Sequence, residues 1–276
     1  MTHPSVATAA PPEALDEAQA VVDLNLRILA AKHVALSPES RILDFGCGSG
    51  RHVYEHLDRG YRNVMGYDLA SYAELRRPED RARFCFSADG RMPFADASFD
   101  FVYSFSVLEH AQGFDAVLRE IHRVLKPGGV ALHVFPAKWR PIEAHTKVPF
   151  AGAVRAYGYF LLWALLGIRN QFQRGLPAAE TARRNARYAE TGINYLSGAE
   201  LERRFGAIYA EMSYEERLFV RTARGRSRWL AGPMTWLPGL ARLYRVLHTR
   251  GVFVRKGDER GAGSMPLKRM ADATDV

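Results

Sequence analysis

A chain of 276 residues that is 47% hydrophobic and 25% charged has apolar material for one large domain, or one domain with a sizeable insertion, and is neither a disordered nor a fibrous sequence. Its two cysteines, Cys47 and Cys85, exclude a disulfide framework and sit in no metal-ligand spacing, so no metal is expected and a reducing cytoplasm is the expected compartment. The net charge of +8 hides a division, because residues 1–137 hold 18 acidic and 14 basic side chains while residues 138–276 hold 12 and 24, and the two halves are expected to face different partners.

Residues 1–12, rich in Ala, Pro and Thr, show no basic leader followed by an apolar run, so they read as a disordered tail and not as a signal peptide. Residues 258–276 read the same way. Glu13 to Leu36 read as an amphipathic helix. From Arg41 short apolar runs alternate with amphipathic segments, the pattern of βαβ units and a mostly parallel sheet. The expected strands cover 41–45, 63–69, 83–87, 98–107 and 128–136. Before the last of these, Phe114, Val117, Leu118, Ile121, Val124 and Leu125 recur at helical spacing, and Pro127-Gly128-Gly129 ends the helix.

The loop "GCGSG" after the first strand removes side chains at Gly46, Gly48 and Gly50, where a backbone must turn and approach a ligand closely. Asp68 ends the second strand, eighteen residues beyond Gly50, where a carboxylate can accept hydrogen bonds from both hydroxyls of a ribose. A dinucleotide fingerprint would place a third glycine at Arg51, and Asp44 would repel a pyrophosphate. The loop therefore suits a ribose-containing ligand that carries a positive charge and no phosphates.

The stretches "ILDFGCGSGRH", "GYDLA", "ADGRMPFADASFDFVYSFSVLEH" and "LREIHRVLKPGGVALHVFP" resemble successive motifs of the class I S-adenosylmethionine (SAM) methyltransferases, in particular the group that includes the ubiquinone/menaquinone C-methyltransferases. The resemblance covers roughly Arg41 to Pro136 and implies a Rossmann-like α/β fold with a mostly parallel seven-stranded sheet. It implies SAM as cofactor, with Asp44 and Gly46 at its methionine end and Gly48 and Gly50 admitting its backbone contacts. Asp68 would bind the ribose, Asp89 with Gly90 and Arg91 the adenine, and Ser104 would lie beside the methionine moiety.

Methyl transfer from a sulfonium needs alignment above all, and a base helps where the acceptor must lose a proton. Two histidines stand where such a base belongs: His110 in "VLEH", just past strand four, and His145 in "EAHTKVPF", after strand five. Each has a plainer reading, His110 as a brace of the following helix and His145 as a surface-loop residue. The Asn/Asp-Pro-Pro-aromatic tetrad of many amino-methylating enzymes is absent, since its place reads "SFSV".

The pattern lapses after Pro136 and resumes near Ser197, whose spacing to Glu200 is that of a capping box. A strand is expected near 208–212 and the last strand at 251–256, with 217–223 as its rival. Residues 138–196 are thus expected to be a helical substrate cap, and residues 197–257 to complete the sheet with a basic, aromatic insertion. The cap holds thirteen consecutive uncharged residues, Ala156 to Ile168, too few for a membrane span and apolar nearly all round. Residues 217–257 carry ten bases and no acid, with Trp229, Trp236 and Tyr244 interleaved. Three readings fit such a surface: a membrane interface, a nucleic-acid surface, or a cap packed on the sheet with solvated charges. Leu, Trp, Met and Val between the arginines favour lipid over RNA. The expected function is SAM-dependent methylation, at oxygen, of a small or lipid-linked acceptor such as a sugar or a quinone-like lipid. The protein would be cytoplasmic and peripheral on the inner face of an anionic membrane. An RNA or protein methyltransferase and a non-catalytic SAM-binding scaffold are the rivals.

Overall fold

The apolar runs become strands and their alternation divides the core. In the computed structural model, which describes residues 12–70, 77–87, 90–222, 229–258 and 268–269, the strands are β1 (Arg41–Phe45), β2 (Asn63–Asp68), β3 (Phe84–Phe86), β4 (Phe99–Phe105), β5 (Leu125–Pro136), β6 (Glu211–Tyr214), β7 (Thr249–Arg255) and β8 (Lys268–Arg269). They form one sheet in the order β3-β2-β1-β4-β5-β7-β6-β8. β1 to β5 pair in parallel, and β7 runs antiparallel to both β5 and β6. The order reverses between β1 and β4, so a crevice opens above their carboxyl ends, where α/β sheets bind ligands.

The helices are α1 (Pro12–Ala31), α2 (Arg51–Asp58), α3 (Phe114–Val124), α4 (Tyr157–Leu165), α5 (Ala178–Thr191), α6 (Gly198–Gly206), α7 (Glu216–Thr222), α8 (Ala231–Trp236) and α9 (Pro238–Leu247). Successive strand side chains face opposite ways. Leu43, Val102 and Ala131 meet Leu118, Ile121, Leu201 and Phe205 of α3 and α6 on one face. Ile42, Phe101 and Leu132 meet Leu24, Ile28, Val53 and Tyr54 of α1 and α2 on the other.

Several expectations change. α1 stops at Ala31, because the chain turns through His33 at φ 54°. Segment 217–223 is not a strand, since Glu216–Thr222 is helical and lays Leu218 and Phe219 on the α1 and α2 side of the sheet. Of the C-terminal residues expected to be a tail, Lys268 and Arg269 pair with Glu211 and Met212 of β6; residues 1–11 lie outside the described set.

Between β5 and α6, α4 and α5 build a separate small core around Phe160, Ala182, Ala189, Ile193 and Tyr195. The thirteen-residue apolar run yields only a nine-residue helix that ends ahead of Gly167 at φ 86°. Its buried stripe is Phe160 and Ala164, not a face through Tyr157, which is 44% exposed, while Leu165 and Leu166 are 69% and 64% exposed. Among the described residues no helix is long and apolar enough to cross a membrane.

Candidate active site

The glycine loop is built by three different constraints. Gly46 has φ 83°, and a Cβ on it would lie 2.3 Å from Val107 Cγ2. Gly50, at φ 76°, would place a Cβ 2.4 Å from the Phe84 ring. These two glycines serve packing and turning. Gly48, at φ 50°, has nothing within 4 Å of its Cβ position, so it is the glycine that presents bare backbone to open space. The loop is pinned to the neighbouring strand: the N–H groups of Gly46 and Cys47 donate to the Tyr67 carbonyl at 2.8 and 3.0 Å. Asp68 accepts from Gly48 N–H at 2.8 Å and from Leu69 N–H at 2.7 Å. Each carboxylate oxygen has a second lone-pair site for a ligand hydroxyl.

Asp44 is 1% exposed; the buried Tyr103 hydroxyl is in contact with its carboxylate, and its Oδ2 has no hydrogen-bond partner among the described residues. His52 Nδ1 approaches it only to 3.6 Å. A buried carboxylate oxygen left in this state is costly, and a cationic donor from a ligand would satisfy it. Cys47 beside it is inert, since burial first, and then Asp44 and Asp68, push its thiol up. Gly90 has φ 75° and open space at its Cβ position, and Arg91 is exposed. Asp89 lies outside the described residues.

Ser104 is not where the sequence reading put it. Its side chain turns into the interior, 2% exposed, with Oγ 2.8 Å from Nδ1 of His133. Burial drives His133 down to about 3, so its imidazole is neutral. The residue at the crevice end of β4 is Ser106, exposed and held at φ 56°, with its N–H donating to the Val134 carbonyl at 2.8 Å. That sparsely populated backbone conformation turns the chain, so that Val107 seats on Gly46 and a single 3-10 turn, Leu108–His110, follows at the crevice.

That turn brings together the two candidate histidines. The His110 and His145 ring centroids are 5.0 Å apart, at 77°. His110 Nδ1 lies 2.7 Å from the Gly192 carbonyl oxygen, which can only accept, so Nδ1 carries the proton and Nε2 is the basic atom. Burial lowers its pKa below the ordinary imidazole value, although the bond to Gly192 opposes this. His145 Nδ1 is 2.8 Å from Glu143 Oε1, which likewise leaves Nε2 basic when the ring is neutral. Glu143 is 1% exposed. Burial alone would raise its pKa, but His145 and the Thr146 N–H and hydroxyl outweigh that and hold it at about 2. Tyr195 donates to Glu143 at 3.0 Å, and Tyr188 lies 5.4 Å from the His145 ring.

Glu109 is the member that the sequence reading treated only as a brace. It is 1% exposed, and neither carboxyl oxygen has a hydrogen-bond partner among the described residues; His110 Nε2 lies 3.9 Å from its Oε1. Burial raises its pKa to about 7, against the lowering effects of its own backbone N–H and of His145. The Glu-His adjacency at 109–110 and the Glu-x-His spacing at 143–145 were the available signals for both carboxylates. Nothing local in the sequence ties the two segments together.

Residues 43–133 match the family model described as "Methyltransferase domain". The match spans a third of the chain, from β1 into β5. Over 108 residues, 36% of this chain, the protein is 34% identical to a sterol 24-C-methyltransferase of Gibberella zeae and 36% identical to one of Schizosaccharomyces pombe, covering 28% and 29% of those proteins. Over 107 residues it is 34% identical to a sterol 4-C-methyltransferase of Caenorhabditis elegans, covering 32% of it. The chain thus spans less than a third of the length of these curated relatives. The crystal structure of a SAM-dependent methyltransferase from Mesorhizobium loti superposes with a TM-score of 0.50 at 18% identity, over 88% of this chain and all of that one, which shows the fold.

The crevice of this methyltransferase domain fits SAM, the cofactor of its class. The unpartnered Asp44 oxygen meets the need of a ligand ammonium group, and the open space at Gly48 admits close backbone contact. Asp68 stands one strand away with its carboxylate at the loop, where a ribose diol would be held.

Proposed function

We propose that the protein transfers the methyl group of SAM to a small, lipid-like acceptor, at carbon, in front of the cluster formed by Glu109, His110 and His145. The carrying observation is the buried Asp44 carboxylate, whose Oδ2 has no hydrogen-bond partner among the described residues, beside the open Gly48. SAM bound there supplies an electrophilic methyl group. Asp44 and Asp68 would hold it, and Val107 against Gly46 seats the turn 108–110 at the crevice. The curated relatives named above are sterol C-methyltransferases, which supports carbon over the oxygen first expected from the sequence. A methylated carbon must then release a proton. His110 and His145 each offer an Nε2 for it, with the rings oriented by the Gly192 carbonyl and by Glu143.

The test is transfer of labelled methyl from SAM into a cell extract separated into lipid, glycan, RNA and protein. Label in lipid, on carbon and stable to ether cleavage, is expected. Label only in RNA or protein would overturn the acceptor class, and a chain that binds SAM but labels nothing would be a scaffold.

We also infer that the C-terminal block touches an anionic membrane from the cytoplasmic side. Trp229 and Trp236 are 77% and 86% exposed, Leu237 and Leu243 60% and 51%, and Arg242 is exposed among them. The basic surface is smaller than its composition implies. Arg245 is bound to Glu216 at 3.1 Å, Arg255 to Glu211 at 3.0 Å, Lys256 donates to two carbonyls, and Arg250 is 3% exposed. Aromatic and leucine insertion would therefore carry more of the binding than charge. Flotation with phosphatidylglycerol vesicles should recover the wild-type chain and recover Trp236→Ala less well. Equal recovery of the two proteins, or none of the wild type, would sink this reading.

A further inference from the structure

We propose that a groove in the cap, ending at His145, holds the anionic, oxygen-rich head of the lipid-like acceptor; this rests on the methyltransferase reading above and names what its acceptor must carry. The groove lies between the 144–147 loop, the 170–173 turn and α5, has a volume of about 500 Å³, and has no carboxylate among its lining residues. Such a volume suits a head group and the first part of a chain.

The floor of the groove carries a donor with nothing to donate to. Asn170 N–H donates to Gln173 Oε1 at 3.2 Å, which fixes the orientation of that amide. Gln173 Nε2 therefore donates to Asn185 Oδ1, at 2.6 Å, and Asn185 Nδ2 is left as the free end. The Asn185 side chain is 1% exposed and its Nδ2 has no partner among the described residues. A buried amide donor in this state costs about 1–3 kcal/mol until an acceptor reaches it. The assignment does not depend on choosing an amide flip, because a backbone N–H starts the chain.

The rim supplies the charge. Lys147 is exposed and held at φ 64° by its own N–H, which donates to the Glu143 carbonyl at 3.1 Å. A lysine in that backbone region is strained, and the strain fixes where its side chain leaves the loop. Arg184 also lines the groove, with Glu180 on its Nε at 2.8 Å. A cationic rim, a buried amide donor and a lining without carboxylates select an anion with several oxygens. Phe172, 80% exposed, and Tyr188 add apolar walls for the chain attached to it. His145 closes the end and faces His110 on its other side, so a head group anchored here directs the rest of the acceptor towards the crevice.

The experiment is a titration of the full-length, 15N-labelled chain with octyl phosphate below its micelle concentration, octanol and inorganic phosphate, read at the Asn185 side-chain amide signals. Octyl phosphate should shift them saturably, inorganic phosphate more weakly and octanol not at all. Lys147→Glu should weaken octyl phosphate by at least ~10-fold, since a charge-assisted contact becomes repulsive. Asn185→Leu should weaken it as well, and because Lys147 is exposed its variant serves even if Asn185→Leu fails to fold. No saturable shift, equal affinity for inorganic phosphate, or unchanged affinity in Lys147→Glu would each overturn the proposal. Calorimetry with SAM on the same samples separates two failures. A chain that binds SAM but ignores octyl phosphate loses this inference alone, and one that ignores SAM loses the methyltransferase reading.

Discussion

The two halves of the molecule differ in how much apolar surface they leave uncovered. Around the glycine loop most apolar groups are buried, and Asp44 Oδ2 has no partner among the described residues. In the cap and the C-terminal helices Leu165, Leu166, Phe172 and Trp236 are all more than 60% exposed, beside a buried Asn185 amide that also lacks a partner. A site for a compact, charged cofactor is made of polar valences pointing inward. A site for a lipid-like acceptor is made of apolar surface that the chain declines to cover. Glu109, His110 and His145 stand where these two regions meet.

A large effect on the cofactor side should come from the loop itself. Ala at Gly46 must adopt φ 83° and meet the short, branched Val107 side chain at 2.3 Å. Left-handed backbone costs an L-residue about 1–2 kcal/mol, and overpacking adds about 1–3 kcal/mol. Thermal unfolding should register a loss of roughly 3 kcal/mol, and a variant as stable as the wild type would remove the close-packed loop from the comparison.

Glu109 comes next, and its effect has a sign that depends on pH. Its folded pKa of about 7 lies above the ordinary 4.5, so the folded state holds the proton more tightly than the unfolded one. The stability this gives is complete below pH 4.5 and is lost as pH rises through 7. Glu109→Gln keeps the shape without the charge. Denaturant unfolding should therefore show it gaining on the wild type by at most about 3 kcal/mol at pH 8, with no gain at pH 4. Glu216, also raised to about 7 by burial, is present in both proteins and cancels in the difference. A gain that is the same at both pH values would place the Glu109 effect in packing and not in charge.

Asp44→Asn probes the polar side of the comparison. Losing a charge-assisted hydrogen bond worth about 2 kcal/mol should weaken SAM in calorimetry by roughly 30-fold. If SAM affinity is unchanged, the unpartnered oxygen is not its amine site.

The sheet half was legible because its signals are local. Strand alternation, the glycine loop and Asp68 sit within one stretch of chain, and the observed strands fall inside or beside the expected ones. Ser104 failed for a reason that periodicity does hold: on β4 it shares the face of Val102 and meets His133, whose ring packs near Phe205, while the turn at Ser106 stands at the crevice. The cap was readable only as apolar and basic. Which stripe of α4 is buried depends on α5, and the pairing of His110 with His145 depends on contacts at Gly192 that no spacing encodes. Arginines that looked like a continuous patch were partly consumed by Glu216, Glu211 and backbone carbonyls.

The smallest expected effect tests the apolar side. Phe160 is fully buried in the cap core, so Phe160→Ala should cost about 3–5 kcal/mol. Leu165, five residues on and 69% exposed, contributes little to that core. Leu165→Ser should change stability by no more than about 0.5 kcal/mol, as surface substitutions do. The same change should lower transfer to a lipid-like acceptor if the exposed face of α4 is what receives it, and leave SAM affinity alone. A Leu165→Ser protein that unfolds like Phe160→Ala would mean that this face is already covered by the protein itself. The contrast between a half that waits for charge and a half that waits for lipid would then end at α4.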